Sequence, residues 1–146
     1  MHHVAIMRKS WKLTQKILSG EKKIESRWYN TKYPPWDRIK KGDIVYFKDS
    51  GEPVKLKAGV EKALQFSDLN EKKIKDLLEL YARYDGIEDR KNEFFHLFRN
   101  KKYCILIFLK NPQVIEPFEI SKKGFGTMAS WICIEDIEKI IVGSVN

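Results

Sequence analysis

The chain has 146 residues, 42% hydrophobic and 33% charged, and its formal net charge of +8 is carried by residues 1–62, with 15 Lys/Arg against 7 Asp/Glu. That size and balance predict one domain over residues 1–146 and exclude a disordered chain, and the clustered positive charge points to a polyanionic partner. No apolar run approaches the roughly 20 residues that span a bilayer, and the opening apolar stretch of four residues is too short for a secretory segment, so a cytoplasmic protein without a membrane partner is expected.

"HVAIM" reads as a first strand. "SWKLTQKILSG" predicts a short helix with Ser10 as N-cap and Gly20 as its stop, and the i,i+4 pairs Leu13–Ile17 and Thr14–Leu18 would face the core. Lys9 and Lys16, seven apart, would then share one helical face with Lys12 close to it, and with Arg8, Lys22, Lys23, Lys32, Arg38, Lys40 and Lys41 they could form a continuous basic rim. "KKIESRW" alternates Ile24, Ser26 and Trp28 with Lys23, Glu25 and Arg27, the pattern of a half-buried strand with one polar face. "YNTKYPPWDRIKKGD", with two prolines, must be a connector. "DIVYFKDSG" and "PVKLKAGVEKALQF" read as strands, the second bent near Gly59.

The middle is helical. In "NEKKIKDLLELYARYDG", Ile74, Leu77, Leu78 and Tyr81 recur at helical spacing between Asn70 and Gly86. "EDRKNEFFHLFRN" places Phe94, Phe95 and Phe98 on one side of a second helix, a patch that would suit a protein partner if it were exposed. "KYCILIFLKN", "QVIEPFEIS" and "ASWICIEDIEKIIVG" give further strand signals, and segments 114–120 and 137–142 fit either short strands or loop ends. Cys104 and Cys133 lie inside apolar runs and read as reduced core thiols. The three histidines show no metal-ligand spacing, and no metal or other cofactor is expected. Strands that do not alternate regularly with helices argue against a doubly wound sheet. They favour an α+β chain built on a small mixed β-barrel or strongly curved sheet with helices packed outside.

The charged stretch "GEKKIESRW" is where chemistry would lie. Glu25 and Arg27, two apart on a strand, point to one face and can pair or share a ligand. Lys22 precedes the strand, so parity leaves its direction open. Beside an acid in a partly dry cleft it could be held near neutral pKa as base or nucleophile, or Lys22 and Arg27 could hold a phosphate.

"SGEKKIESRWY" closely resembles the Gly-x-Lys-x-x-Glu-x-Arg signature of ASCH domains, a branch of the PUA-like superfamily, with Gly20, Lys22, Glu25 and Arg27 at its positions. "ILSG" before it, "IKKGDIVYF" after it and the late "GFGTMASWICI" agree with that resemblance, which covers most of the chain. It implies a small PUA-like β-barrel with a cleft beside the motif, and RNA or a nucleotide as partner. Some relatives of this kind hold a modified base between aromatic side chains, some remove the acyl group from acylated cytidine, and others are linked to RNA cleavage. Amidohydrolase-like members carry a threonine where this chain has Glu25, and an acid after the middle helix for which Asp85 and Glu88 are the nearest carboxylates.

On this reading Lys22 and Glu25 are the candidate catalytic pair. Lys9, Trp11, Lys22, Arg27, Trp28, Trp36, Phe125, Thr127, Ser130 and Trp131 are the candidate contacts to RNA or a nucleotide. Trp28 and Trp131 would be mainly buried, and Trp11 or Trp36 more open for stacking. "KKGFGTMAS" would offer backbone donors and hydroxyls. RNA binding in a basic, aromatic-lined cleft is the leading expectation, and a hydrolase acting on a modified nucleoside or on RNA is the alternative.

Overall fold

A computed structural model describes residues 1–144. Seven strands and three helices follow in the order β1 (His2–Met7), α1 (Leu13–Ser19), β2 (Ile24–Tyr29), β3 (Ile44–Asp49), β4 (Val54–Phe66), α2 (Glu71–Tyr81), α3 (Lys91–Phe98), β5 (Tyr103–Ile120), β6 (Trp131–Ile134) and β7 (Ile141–Ser144). The strands form one mixed sheet in the order β2-β5-β4-β3-β1-β6, with β7 added to β5. β1 runs parallel to β3, and every other pairing is antiparallel. The sheet curls into a half-barrel, the α+β, PUA-like form expected from the sequence. No helix among the described residues is long and apolar enough to cross a membrane.

Alternation along the strands builds hydrophobic clusters on both faces. In β1 and β3, Ala5, Met7, Val45 and Phe47 join Leu13 and Ile17 of α1, Ile74, Leu77 and Leu78 of α2 and Phe94 of α3 in the main core. The intervening Val4 and Tyr46 join Val54, Ile132, Ile137 and Ile140 in a smaller cluster. Each large apolar side chain buried in this way contributes about 1.5–3 kcal/mol, which holds the helices against the sheet. Phe95 and Phe98 also pack on the main core, so α3 offers no open phenylalanine patch for a protein partner.

Several elements depart from the expected boundaries. Ser10 is not an N-cap: it lies inside a 3-10 turn, Lys9–Trp11, and Lys12 takes the left-handed conformation (φ 56°) before α1 begins. That break removes the common face of Lys9, Lys12 and Lys16, and α1 leaves Leu18 exposed. Gly20 does end α1, in the left-handed conformation expected of a helix stop. Asn70 caps α2 by accepting from the Lys73 N–H at 2.9 Å.

β4 bends where expected, with register shifts on both sides of Gly59. The two strand signals at 102–121 fuse into the 18-residue β5, because Asn111 (φ 51°) absorbs the irregularity before Pro112 without breaking the pairing to β4. The last signal instead divides into β6, a 3-10 turn (Ile137–Lys139) and β7. Cys104 is buried and Cys133 half-buried, and both thiols are free.

α2 stops at Tyr81, and residues 82–87 form a turn rather than a last helical segment. Asp85 N–H donates to Tyr81 O and Ile87 N–H to Ala82 O, and Gly86 takes φ +77°. The left-handed region favours glycine, and the space does too. A Cβ at residue 86 would stand 3.1 Å from the Cβ of Lys22 and 3.3 Å from Cδ of Lys16. This close approach brings the Asp85 turn against the charged motif.

Candidate functional site

β2 is an end strand. One of its edges is bonded to β5, with Glu25 opposite Ile107 and Trp28 opposite Cys104. Its other edge faces the end of β1, across the open seam of the half-barrel. Ile24 and Trp28 anchor the strand in the main core, as their alternation predicts.

Lys22 turns inward from the α1–β2 junction and is only 2% exposed. Its ammonium donates to Ile24 O at 2.6 Å, Asp85 O at 2.8 Å and Asp85 Oδ1 at 2.5 Å, and lies 3.1 Å from Glu25 Oε1. Glu25 Oε2 accepts from Arg27 Nε at 3.0 Å and Nη2 at 2.8 Å. Arg27 then bridges the seam, donating to Ser130 O at 3.2 Å and to Ile6 O of β1 at 3.4 Å. Its guanidinium lies over the Trp131 ring, 5.0 Å from the centroid. Ser26 donates its hydroxyl to Asp85 Oδ2 and accepts from Trp28 Nε1 at 3.0 Å. The Trp28 ring stacks on Phe98 at 4.7 Å.

Asp85, not Glu88, is therefore the acid that meets Lys22; Glu88 is exposed in the 3-10 turn Glu88–Arg90. Two carboxylates and two cations make the cluster formally neutral. Burial opposes the charge on Lys22, but Asp85 and Glu25 outweigh it and hold the ammonium above the ordinary lysine value. This corrects the near-neutral value expected of a lysine in a dry cleft. Burial also pushes Glu25 up, yet Lys22 and Arg27 more than reverse this and hold it below the usual carboxylate range. Asp85 is held above that range by burial, reinforced by the charge of Glu25 and only partly offset by Lys22. Asp85 is thus the carboxylate better disposed to accept a proton.

These side chains line a pocket of about 280 Å³. Lys22, Glu25, Ser26, Arg27 and Asp85 supply its polar surface, and Trp11, Trp28, Phe94 and Phe98 its aromatic surface. Trp11 meets Phe94 edge to face, with centroids 4.8 Å apart. Exposed Arg8 lies over Trp11, 4.6 Å from the ring centroid, and makes no ion pair among the described residues.

Of the residues singled out in the sequence, Trp11, Lys22, Glu25, Arg27, Trp28 and Ser130 come together here. Trp131 lies beneath them in the core, where its Nε1 donates to the buried His3 at 3.1 Å. Four others do not line the pocket. Lys9 is turned to Glu52 at 2.7 Å, because the break at Lys12 separates it from α1. Trp36 packs edge to face on Tyr103 at 5.1 Å. Phe125 packs on the smaller cluster, and Thr127 lies exposed in the loop before β6. Ser26, Arg8, Phe94 and Phe98 are pocket residues that the candidate set lacked. Ser26 had a visible signal, as a hydroxyl on the buried side of a charged strand. The phenylalanines read only as a helix face.

No protein-family model matches the chain, and no curated protein matches it. Solved structures do. The ASCH protein of Zymomonas mobilis matches with a TM-score of 0.64 and 17% identity, covering 94% of this chain and 90% of that one. A tyrosine-to-phenylalanine variant of the same protein matches with a TM-score of 0.66 and 16% identity, covering 94% and 93%. A third structure, of a protein described only as hypothetical, matches with a TM-score of 0.51 and 24% identity over 79% of this chain and all of that one. At such identities the likeness concerns the fold, and the fold of this chain is that of the ASCH-domain proteins.

Proposed function

We propose that the chain binds single-stranded RNA by taking one nucleoside into the pocket at the β2 seam. The observation that carries this reading is a pocket whose buried charges are already neutralised by one another. Lys22 and Arg27 spend their donors on Glu25, Asp85 and backbone carbonyls, so they do not favour a phosphate inside. What fits such a lining is a neutral, flat group with polar edges, stacked on Trp11 and facing the Ser26 and Asp85 oxygens. Arg8, unpaired at the opening, is placed for the phosphate that stays outside.

Titration of a short single-stranded RNA at several salt concentrations tests this. Binding should weaken with a slope of roughly −0.7 per phosphate contacted, and Arg8→Ala should flatten the slope by about one such contact. Trp11→Ala should weaken binding by about 1–3 kcal/mol, the usual worth of one stacked base. Binding that is absent, or indifferent to salt, would sink the proposal.

A second reading has its own support. Glu25 and Asp85 flank one lysine and are pushed in opposite directions, the arrangement that separates acid and base roles in hydrolytic sites. With Ser26 bonded to one of its oxygens, the Asp85 carboxylate could take a proton from a water attacking an acyl carbonyl, while Lys22, its donors engaged by Asp85, Glu25 and Ile24 O, holds the carboxylate in place. Acylated cytidine is the substrate to try. Release of free cytidine, abolished by Asp85→Asn, is the expected result, and substrate that stays intact with the wild-type protein dismisses the enzyme.

A further inference from the structure

A second depression, of about 260 Å³, lies beside the pocket and is lined in part by Thr31, Tyr33, Lys101 and Met128. Tyr29 and Ser130 line both depressions, so the two adjoin across a shared wall. The contents of the second are unusual for open surface. Met128 is 93% exposed and Tyr33 42%. Tyr33 is positioned by its neighbour: the Tyr29 and Tyr33 centroids are 5.6 Å apart, and the Tyr29 hydroxyl donates to Pro34 O at 3.0 Å. Lys101, half-buried at the edge of this depression, makes no ion pair among the described residues, so its ammonium is free to meet an anion there.

We propose that this depression is a second base subsite, so that the ligand is a strand of at least two nucleotides rather than a free nucleoside. The inference rests on the assignment of the first pocket to a nucleoside. Tyr33 offers an open face on which a second base stacks, and the Met128 thioether packs against a ring of that kind. Lys101 supplies the charge that the phosphate needs and that the neutralised cluster of the first pocket does not provide. Arg8 lines only the first depression and Lys101 only the second. Of the cations that line the two depressions, Arg8 and Lys101 are without an ion pair among the described residues, and they belong to opposite members of the pair, as a backbone passing over both would require.

The test compares the four ribonucleosides with the four homodinucleoside monophosphates (ApA, CpC, GpG, UpU) on the wild-type protein and on the Tyr33→Ala and Lys101→Ala variants. Both side chains lie outside the hydrophobic clusters, so the variants should fold. For whichever base binds as a nucleoside, the dinucleotide should bind on the order of tenfold tighter, and Tyr33→Ala should remove most of that gain. Lys101→Ala should remove part of it and lessen its salt dependence. Nucleoside affinity should stay unchanged in both variants. A nucleoside that binds as tightly as its dinucleotide, or a gain that survives Tyr33→Ala, overturns the second subsite and leaves the first pocket standing. If no nucleoside or dinucleotide binds, the reading of the first pocket fails and the subsite with it.

Discussion

Replacing Lys22 with methionine is expected to destabilise the fold by about 3–5 kcal/mol at neutral pH, the usual result of removing one partner from a buried ion pair. Methionine fills much the same space, so a cavity contributes little to that loss. What remains is two buried carboxylates, Glu25 and Asp85, of which only Glu25 keeps a cation, in Arg27. The pH dependence identifies the cause. In the variant both carboxylates lose the attraction that lowered them, so their pKa values rise in the folded state relative to the unfolded chain. The folded variant then binds protons more readily, and its deficit should shrink as pH falls toward and below the ordinary carboxylate values of about 4. In the wild type Glu25 works in the opposite sense. Its pKa is lowered by folding, so the stability it contributes is full above its unfolded value and is lost as pH falls through the folded one. Urea unfolding at pH 7 and near pH 4 should show the two proteins converging in acid. An equal deficit at both pH values would mean that the loss comes from packing, not from stranded charge.

Trp28→Ala should cost a similar amount, about 3–5 kcal/mol, since it removes a large core side chain. The ring fills space between the sheet and α3, stacked on Phe98, and its indole N–H holds the Ser26 hydroxyl. Trp28→Phe divides the two roles. It keeps a ring against Phe98 but removes the indole donor together with part of the ring volume, for a loss of about 1–3 kcal/mol, smaller than that of alanine. Thermal or urea unfolding of both variants gives the comparison. If phenylalanine proves as damaging as alanine, the stack is not what holds this face together. RNA affinity measured on the phenylalanine variant, which should remain folded, then reports on the wall that Trp28 and Ser26 form together in the pocket.

Legibility differed between the parts of this chain for reasons that particular residues make plain. The alternation of Ile24, Ser26 and Trp28 with Glu25 and Arg27 carried β2 and its two faces, because strand parity is a local property of consecutive residues; its pairing to β5 was not legible. The heptad-like spacing of Ile74, Leu77, Leu78 and Tyr81, with Asn70 as cap, carried α2 in the same way. The break at Lys12 was not legible. A lysine in the left-handed conformation leaves no mark in composition, and the helical periodicity ran through it undisturbed. Nor was the continuity of β5 legible across Pro112. A proline weighs against a strand locally, and only the pairing to β4 overrides it.

The site shows the same division. By itself the sequence determined a charged motif on a strand start, the apolar residues that anchor it, and the fold type that such a pattern resembles. Tertiary structure decided which acid Lys22 meets, since Asp85 lies 63 positions away and the turn at Gly86 carries it, and not Glu88, against the lysine. It also decided that Arg27 spans the seam to Ser130, 103 positions on, while Lys9, Trp36, Phe125 and Thr127 fall outside the pocket. The physical reason is one of range. Propensity and periodicity act between neighbours in sequence, whereas the charge balance and walls of a pocket depend on which distant segments the curled sheet brings together.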